Sequence, residues 1–333
     1  MLKKSISLLL ATLPFSVFAD HASIGLGVGS ASPIATESGM TMPKGSFSTG
    51  IRSELIRLDE YSDSKLQDLR AADAEADLHS VESLWSISAA AAYAITDDFT
   101  VGFRIPFIMR DNIREPAHGH DDDHDEPAEI ESLGNIEGIG DTTFYGQYRF
   151  FQNEGSHLSA LFGIKAPTGK TSRHSADGSE LLETEFQPGS GSWDGIMGLA
   201  FTQQFDDLSF DASTVYTVTS EGAQDTDLGD IFSYNFALSY RLFGQNGLNF
   251  QPAQFAVDTI LEINGEWRDK EQTNGSKDGN SGGNIVYLSP GIRLTAGKHV
   301  SLGASFGIPV VQDTNGNQVE PDYRIISSVN IAF

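Results

Sequence analysis

The sequence predicts an all-β protein that forms a closed transmembrane antiparallel β-barrel of about twelve strands. Apolar residues recur at every second position over long runs such as Phe232–Leu242, and a period of two is that of a strand. Several runs are longer than the roughly 9–11 residues that a tilted strand needs to cross a bilayer. The strand arginines fall on the parity opposite to the apolar residues, which places the apolar face towards lipid and the charged face towards the lumen.

The first residues have the composition of an export signal. Lys3 and Lys4 precede the apolar run Ile6–Leu13, and Val17 and Ala19 stand shortly before Asp20. This order of regions predicts a signal peptide over residues 1–19, which is removed from the mature protein. The chain contains 0 cysteines, so a disulfide-stabilised secreted scaffold is excluded and the Gram-negative outer membrane is the favoured location.

Residues 20–44 are rich in glycine, serine, alanine and proline and are too few to form a domain. Two interpretations are open for this segment. It either folds into the lumen as a small plug or lies in the periplasm. The barrel itself is predicted over residues 45–333.

The barrel strands are predicted from the alternating runs and the turn residues between them. The connections alternate between tight turns such as Asp97-Asp98 and long segments, namely 59–79, 112–138, 168–191 and 270–283. Short periplasmic turns and long extracellular loops are typical of outer-membrane barrels. The predicted strands are 45–58, 80–96, 99–111, 139–151, 157–167, 192–205, 208–221, 228–243, 254–269, 284–296, 298–311 and 319–333.

The residues expected to line the lumen are the polar ones on the parity opposite to the apolar face. A mixture of arginines and carboxylates in a narrow barrel predicts ion pairs and a narrow path in place of a wide aqueous channel. The predicted lumen-lining residues are Arg104, Asp141, Gln147, Arg149, Lys165, Asp194, Asp211, Asn235, Arg241, Asp258, Glu262, Arg268, Arg293 and Arg324.

The negative charge is concentrated in two of the long loops. Loop 59–79 carries a net charge of −5 and loop 112–138 a net charge of −8, out of −25 for the chain. Exposed acidic loops attract cations and repel anions, and they also suit divalent ions that bridge lipopolysaccharide phosphates. With 46 acidic against 21 basic residues, nucleic acid is excluded as a partner. The expected partners are outer-membrane lipid and lipopolysaccharide, a small-molecule solute and divalent cations.

One loop carries a histidine-rich motif, "EPAHGHDDDHDEPAEIE" (Glu115–Glu131). Imidazole and carboxylate groups together suit divalent transition metals. The alternative is a solvated acidic loop that binds metal only incidentally. The candidate metal ligands are His118, His120, Asp121, Asp122, Asp123, His124 and Asp125. No other cofactor is expected.

An enzyme is not predicted. Outer-membrane hydrolases need a base such as histidine convergent with an acid or nucleophile. The histidines of this sequence avoid the central parts of the predicted strands, so no catalytic constellation is visible.

Three motifs resemble one family of outer-membrane proteins. They are "GIGDTTFYGQYRF" (Gly138–Phe150), "GIKAPTGKTS" (Gly163–Ser172) and "FQPGSGSWDGIMGLAF" (Phe186–Phe201). They are similar to the successive motifs of the MetA-pathway-of-phenol-degradation family, distantly related to hydrocarbon and fatty-acid transporters of the outer membrane. The resemblance covers residues 139–333 and "MPKGSFSTGI" (Met42–Ile51), and it implies passive transport of small molecules.

Two hypotheses of function follow. The first is an outer-membrane channel for small solutes, of aromatic or apolar character by the family resemblance. The second is metal-cation binding or passage through the histidine-rich loop, with the barrel partly an anchor. The aromatic residue at the end of the last strand, Phe333, is similar to the signal that the outer-membrane assembly machinery recognises, so that machinery is a further expected partner.

Overall fold

The computed structural model describes residues 33–73, 78–117, 127–244, 255–297 and 299–333. Over these ranges the chain is mostly strand, with one α-helix, α1 (Asp63–Ala72). The strands, numbered along the chain, are β1 (Phe47–Leu58), β2 (Ser83–Thr96), β3 (Phe99–Pro116), β4 (Ile130–Ile139), β5 (Thr142–Asn153), β6 (Ser156–Ala166), β7 (Asp194–Phe205), β8 (Leu208–Val218), β9 (Thr226–Asp227), β10 (Ile231–Phe243), β11 (Phe255–Arg268), β12 (Gln272–Thr273), β13 (Ser276–Lys277), β14 (Gly283–Ala296), β15 (Val300–Thr314) and β16 (Pro321–Ala332).

The long strands close into an antiparallel barrel, because β1 pairs with β2 on one side and with β16 on the other. β4 and β5 share one wall position, since β3 pairs with β5 along Phe99–Arg104 and with β4 along Phe107–Pro116. Counted in this way, the described wall has twelve positions, which confirms the prediction. Closure pairs the first strand with the last, as a bilayer without water requires.

The outer surface of the barrel is an apolar belt. Leu238, Leu261 and Ile308 are 46%, 46% and 48% exposed. Residues of the other parity point inwards, and Asp258 and Glu262 are fully buried there. A charged side chain on the lipid face would cost about 2–4 kcal/mol at the bilayer midplane, so this division identifies a transmembrane barrel with its apolar face outside.

The prediction that residues 112–138 form one long loop is wrong. β3 continues to Pro116, β4 begins at Ile130, and the two strands pair with each other. The register shifts on both sides of Ile113, and Gly134 has a φ of 84°. A bulge inserts an extra residue into one strand, so the two-residue alternation that marks a strand is lost from the sequence here.

The predicted strand 139–151 is interrupted between β4 and β5. A Cβ atom at Gly140 would lie 2.9 Å from the carbonyl oxygen of Pro188, so only glycine permits this approach. Asp141 accepts hydrogen bonds from the backbone N–H groups of Gly169 and Ser190, each at 2.8 Å. The break therefore anchors the long loop between β6 and β7 to the wall.

The two ends of the barrel differ. At one end, the described connections between β2 and β3, β5 and β6, and β7 and β8 are each two residues long. Glu154 and Gly155, with φ of 33° and 86°, have the positive φ values that two-residue hairpin turns need. Phe333 stacks on Phe47 at this end, with ring centroids 6.4 Å apart. We call it the turn end. The opposite end, the loop end, carries α1, the loop between β6 and β7, and the small sheet of β9, β12 and β13.

Residues 59–79, predicted as a loop, contain the helix α1, which the acidic composition of this segment did not indicate. The Ser62 side chain caps α1 by accepting a hydrogen bond from the backbone N–H of Lys65 at 3.3 Å, which is a normal helix start. Leu66 and Arg70 are the buried residues of α1. Among the described residues, no helix is both long and apolar enough to cross a membrane.

Candidate functional site

The interior of the barrel is the candidate site, because buried charged residues of several strands converge there. It holds four kinds of feature. These are a chain segment within the lumen, a set of ion pairs, an apolar layer and a cavity at the loop end.

Residues 33–44, which we call the lumen segment, lie inside the barrel. The strongest contact is made by Glu262, which is fully buried on β11. Its carboxylate accepts hydrogen bonds from the backbone N–H of Ala35 at 3.0 and 3.1 Å and from that of Thr36 at 2.9 Å. Arg52 of β1 donates to the carbonyl oxygen of Ile34 at 2.7 Å. One end of the segment is thus held between two charged wall residues.

The rest of the lumen segment follows the wall towards the turn end. Thr202 accepts a hydrogen bond from the Gly39 N–H at 2.9 Å. Gln147 donates to the carbonyl oxygen of Ser38 at 2.7 Å, and Ser159 donates to that of Gly39 at 2.7 Å. Most of these bonds use backbone groups of the segment, so its buried main chain is paired as a buried main chain must be.

Asp258 is the centre of the ion pairs. It is fully buried on β11 and lies directly between Arg241 of β10 and Arg293 of β14 in the strand register. The Arg293 guanidinium lies 3.0 Å from one carboxylate oxygen, and Arg241 pairs with the other. An ion pair of this kind adds little net stability, but removal of one partner costs about 3–5 kcal/mol. The three side chains therefore form a fixed charged group on the inner face of three adjacent strands.

Arg324 extends the polar network towards the loop end. It donates to the Asn264 side-chain oxygen at 2.7 Å, and its other terminal nitrogen lies 3.6 Å from Glu54. The guanidinium carbon also sits 4.2 Å from the centroid of the Tyr287 ring. Since β11 and β16 are separated by two strands in the sheet, the bond from Arg324 to Asn264 crosses part of the lumen. The ion pairs thus narrow the interior.

A second buried ion cluster lies where the loop between β6 and β7 meets the wall. Lys165 is 2.5 Å from Asp194 and 3.5 Å from Asp141. Ser190 of the loop donates to Asp141 at 2.8 Å. Carboxylates at the ends of two strands thus hold this loop through one lysine and one serine.

The interior near the loop end is apolar, which the sequence analysis did not predict. Inward-facing wall residues such as Ile56 and Leu84 pack there against Leu182 and Phe186 of the loop between β6 and β7. A signal was present in the sequence: both parities are apolar at Leu55-Ile56 and over Ile285–Leu288, and apolarity on both faces indicates burial on both faces. The members of this apolar layer are Ile56, Leu58, Val81, Leu84, Ile113, Leu133, Ile136, Leu182, Phe186, Ile285, Tyr287 and Val319.

A cavity of about 470 Å³ adjoins the apolar layer at the loop end. Its lining includes Phe186, Leu228 and Val319, together with polar groups such as His79 and Arg268. The floor is formed by the short 3₁₀ turn Thr184–Phe186. We call this space the vestibule, and the turn separates it from the deeper interior.

Hydrogen bonds to the wall hold that turn in place. Arg110 of β3 donates to the carbonyl oxygens of Phe186 and Gln187 at 3.4 and 3.3 Å. The Gln187 side chain donates to the carbonyl oxygen of Leu182 at 2.7 Å. The residues between Leu182 and Gln187 are therefore an ordered closure of the barrel.

The other predicted lumen residues also lie on the inner face. Arg104 and Asp211 are buried, and Arg268 is buried next to the vestibule. Asn235 accepts a hydrogen bond from Asn264 at 3.1 Å. Arg149 differs from the rest, because it binds Asp98 at 2.7 Å in the tight turn between β2 and β3 and so belongs to the turn end. The predicted metal ligands between His118 and Asp125 lie outside the described residues, as do residues 1–32.

One loop group outside the membrane-spanning strands has a shifted pKa. Hydrogen bonds from Ser179 and Ser175 stabilise the carboxylate of Asp177 and lower its pKa to about 2. The charged form thus braces the tip of the loop between β6 and β7.

Comparison with known proteins places the chain among outer-membrane barrels. The model of the family described as "Putative MetA-pathway of phenol degradation" matches residues 119–318. The structure is similar to that of an outer membrane channel from Pseudomonas putida F1, with 15% identity, a TM-score of 0.59, and coverage of 88% of this chain and 97% of the other. That likeness supports the fold. No curated protein matches the sequence.

Two further solved structures are less similar. A FadL homologue of Pseudomonas aeruginosa has 10% identity, a TM-score of 0.41, and coverage of 96% of this chain and 98% of the other. The toluene transporter TbuX of Ralstonia pickettii has 10% identity, a TM-score of 0.43, and coverage of 92% and 94%. Because both scores are below 0.5, the fold assignment rests on the Pseudomonas putida channel.

Proposed function

We propose, from the premise that this chain belongs to the "Putative MetA-pathway of phenol degradation" family, that it is an outer-membrane channel for small apolar or aromatic solutes. Passage is passive in this proposal, as the family resemblance implies.

The observation that carries this proposal is the apolar layer inside the lumen. A channel for water-soluble solutes is expected to be polar along its interior. Here twelve buried residues pack together inside the barrel near the loop end, and Phe186 and Val319 of this layer also line the vestibule. Apolar solutes gain free energy on moving from water to such a surface, about 25 cal/mol per Å² of apolar area buried. In this proposal, the residues of the layer that a passing solute contacts favour apolar molecules over polar ones.

The interior is closed at two levels, so passage requires local movement. The turn Thr184–Phe186 separates the vestibule from the deeper interior, and the lumen segment fills the barrel nearer the turn end. Both closures are chain segments held by hydrogen bonds to the wall and are not part of the barrel sheet. A solute that displaces the turn and then the lumen segment can cross without opening the wall.

In this proposal the loop end faces the cell exterior and the turn end faces the periplasm, in keeping with short periplasmic turns in outer-membrane barrels. A signal peptide over residues 1–19 directs export. The exposed Phe333 at the turn end is available to the outer-membrane assembly machinery, and the acidic loops face lipopolysaccharide.

Uptake into vesicles tests the proposal. Protein is reconstituted into vesicles with lipopolysaccharide in the outer leaflet, and uptake of toluene, phenol and arabinose is measured against empty vesicles. We expect faster uptake of the two aromatic compounds and no change for arabinose. Phe186→Asp, which places a charge in the apolar layer, should abolish the gain, whereas Phe186→Leu should retain it. If neither the wild type nor a variant with a loosened lumen segment, Glu262→Gln, increases aromatic uptake, the proposal is wrong.

A further inference from the structure

A histidine and three carboxylates converge at the loop end, beside the vestibule. The Nε2 atom of His79 lies 3.1 Å from Glu115 Oε2 and 3.4 Å from Glu183 Oε2. The Nδ1 atom lies 3.3 Å from Glu185 Oε1. The side chains of His79 and Glu115 are 14% and 11% exposed, whereas Glu183 is half exposed. The group is thus partly buried, with one carboxylate open to solvent.

Three separate chain segments bring these residues together. Ser80 forms an isolated antiparallel bridge with Arg114, and this bridge sets His79 beside Glu115. Glu185 lies in the 3₁₀ turn at the floor of the vestibule, and Glu183 precedes that turn directly as its N-cap. The Phe186 ring lies edge-on to the imidazole, with centroids 4.7 Å apart, and fixes the plane of the ring. The arrangement is therefore held by packing and backbone pairing.

The distances from the imidazole match those between neighbouring ligands of a common cation. With bonds of about 2.0–2.2 Å from metal to nitrogen and oxygen, adjacent ligand atoms lie roughly 2.9–3.5 Å apart in octahedral or tetrahedral geometry. Both separations from Nε2, 3.1 and 3.4 Å, fall in that range. A single Nε2–H group, by contrast, donates a good hydrogen bond to only one acceptor.

The geometry points to a divalent transition-metal site with His79 Nε2, Glu115 and Glu183 as ligands. The contact between Nδ1 and Glu185 then has a supporting role, because a metal-bound histidine usually donates its other N–H to a carboxylate or carbonyl oxygen. One imidazole and two carboxylates suit Zn²⁺ and similar cations better than Ca²⁺ or Mg²⁺, which prefer oxygen ligands alone. The exposed side of Glu183 leaves room for water as a further ligand.

This site shares Glu115, the first residue of the histidine-rich motif, but it uses none of the candidate ligands between His118 and Asp125. It does not depend on the proposed channel function. Glu131 and Glu180 lie near Glu115, and their charge raises the local concentration of cations. A cation bound here links the wall, through His79 and Glu115, to the turn that closes the vestibule, through Glu183. Metal binding would thus fasten that closure.

Calorimetric titration of the full-length protein in detergent with Zn²⁺ tests the assignment. The experiment uses a background in which His118, His120 and His124 are alanine, so that the histidine-rich stretch does not contribute. We expect one Zn²⁺ site in this background. His79→Gln should weaken Zn²⁺ binding at least 100-fold, and Glu185→Gln should weaken it 10- to 100-fold, as loss of a supporting partner does.

The control is His174→Gln, which changes an exposed loop histidine and should leave the affinity unchanged. Folding of each variant is verified by the shift in electrophoretic mobility between heated and unheated samples. The visible absorption of bound Co²⁺ gives a second readout, and it should change when His79 is replaced. Zn²⁺ binding that is equal in the background protein and in folded His79→Gln would overturn the assignment, as would equal binding of Ca²⁺ and Zn²⁺.

Discussion

Replacing Glu262 by glutamine should release the lumen segment. The carboxylate accepts hydrogen bonds from the N–H groups of Ala35 and Thr36 in a fully buried position. Hydrogen bonds to a charged group contribute about 1.5–3 kcal/mol each, against about 0.5–1.5 for a neutral pair. Both N–H groups donate to Oε1, and Ala35 also reaches Oε2. Glutamine therefore keeps two bonds as neutral ones and turns its NH₂ group towards the Ala35 N–H, so the loss is about 3 kcal/mol, or roughly 100-fold in the population of the released segment.

Cysteine labelling measures this population directly, because the chain contains 0 cysteines. A single Ala35→Cys substitution keeps the backbone N–H that binds Glu262 and places a thiol at a buried position. The rate of reaction with a water-soluble maleimide then reports how often the segment leaves the wall. With Glu262→Gln added, we expect this rate to rise by about two orders of magnitude.

A matched control uses another buried carboxylate. Asp194 pairs with Lys165 and Ser192 near the loop end, so Asp194→Asn should leave the labelling rate of the thiol introduced by Ala35→Cys unchanged. Equal rates with and without Glu262→Gln would refute the reasoning. A rise of similar size in the control variant would also refute it, because the effect would then reflect general loosening of the barrel.

Three other perturbations have defined outcomes. Replacing Leu261, which is on the lipid face, by arginine should destabilise the barrel by about 2–4 kcal/mol, seen as a lower urea midpoint in lipid vesicles; an unchanged midpoint would contradict the assigned face. Replacing Asp258 by asparagine removes the buried carboxylate shared by two arginines and should destabilise the barrel by about 3–5 kcal/mol. The folded band in gels should then disappear at a lower temperature, and a folded band that persists to the wild-type temperature would contradict this role of Asp258. Because the pKa of Asp177 is lowered to about 2, the stabilisation that its carboxylate gives the loop is complete above a pH of about 4 and is lost as the pH falls through about 2. An NMR titration of Asp177 should show this midpoint, and Ser179→Ala should raise the pKa.

The wall of the barrel was predictable from sequence because lipid and lumen impose opposite demands on alternate residues. β10 and β11 show this most clearly, since Arg241 and Asp258 fall on the polar parity of their own strands and lie opposite each other in the register. The closed barrel of twelve wall positions follows from strands of this kind.

The pattern fails where other forces decide the structure. Bulges near Ile113 break the alternation where β3 and β4 pair, so the bounds of these strands cannot be read from the sequence. Leu84 points inwards but is apolar, because it packs against a loop inside the barrel and does not face water. The sequence does not reveal how loops return into the barrel.

The lumen segment and the group around His79 were missed or left open for a related reason. The segment binds the wall largely through its backbone, as at Ala35 and Gly39, and backbone groups carry no sequence signature. His79 and Glu183 are more than 100 positions apart in the chain. Only the tertiary fold brings them within 3.4 Å.

The central claim is that lipid surrounds the wall while the lumen holds the buried charges. Spin labels placed one at a time from Ile260 to Asn264 on β11, in protein reconstituted into bilayers, test it most directly. We expect labels at Leu261 and Ile263 to be accessible to oxygen dissolved in the lipid, and labels at Ile260, Glu262 and Asn264 to be shielded from it. Uniform accessibility along these positions, or the reverse alternation, would contradict the account.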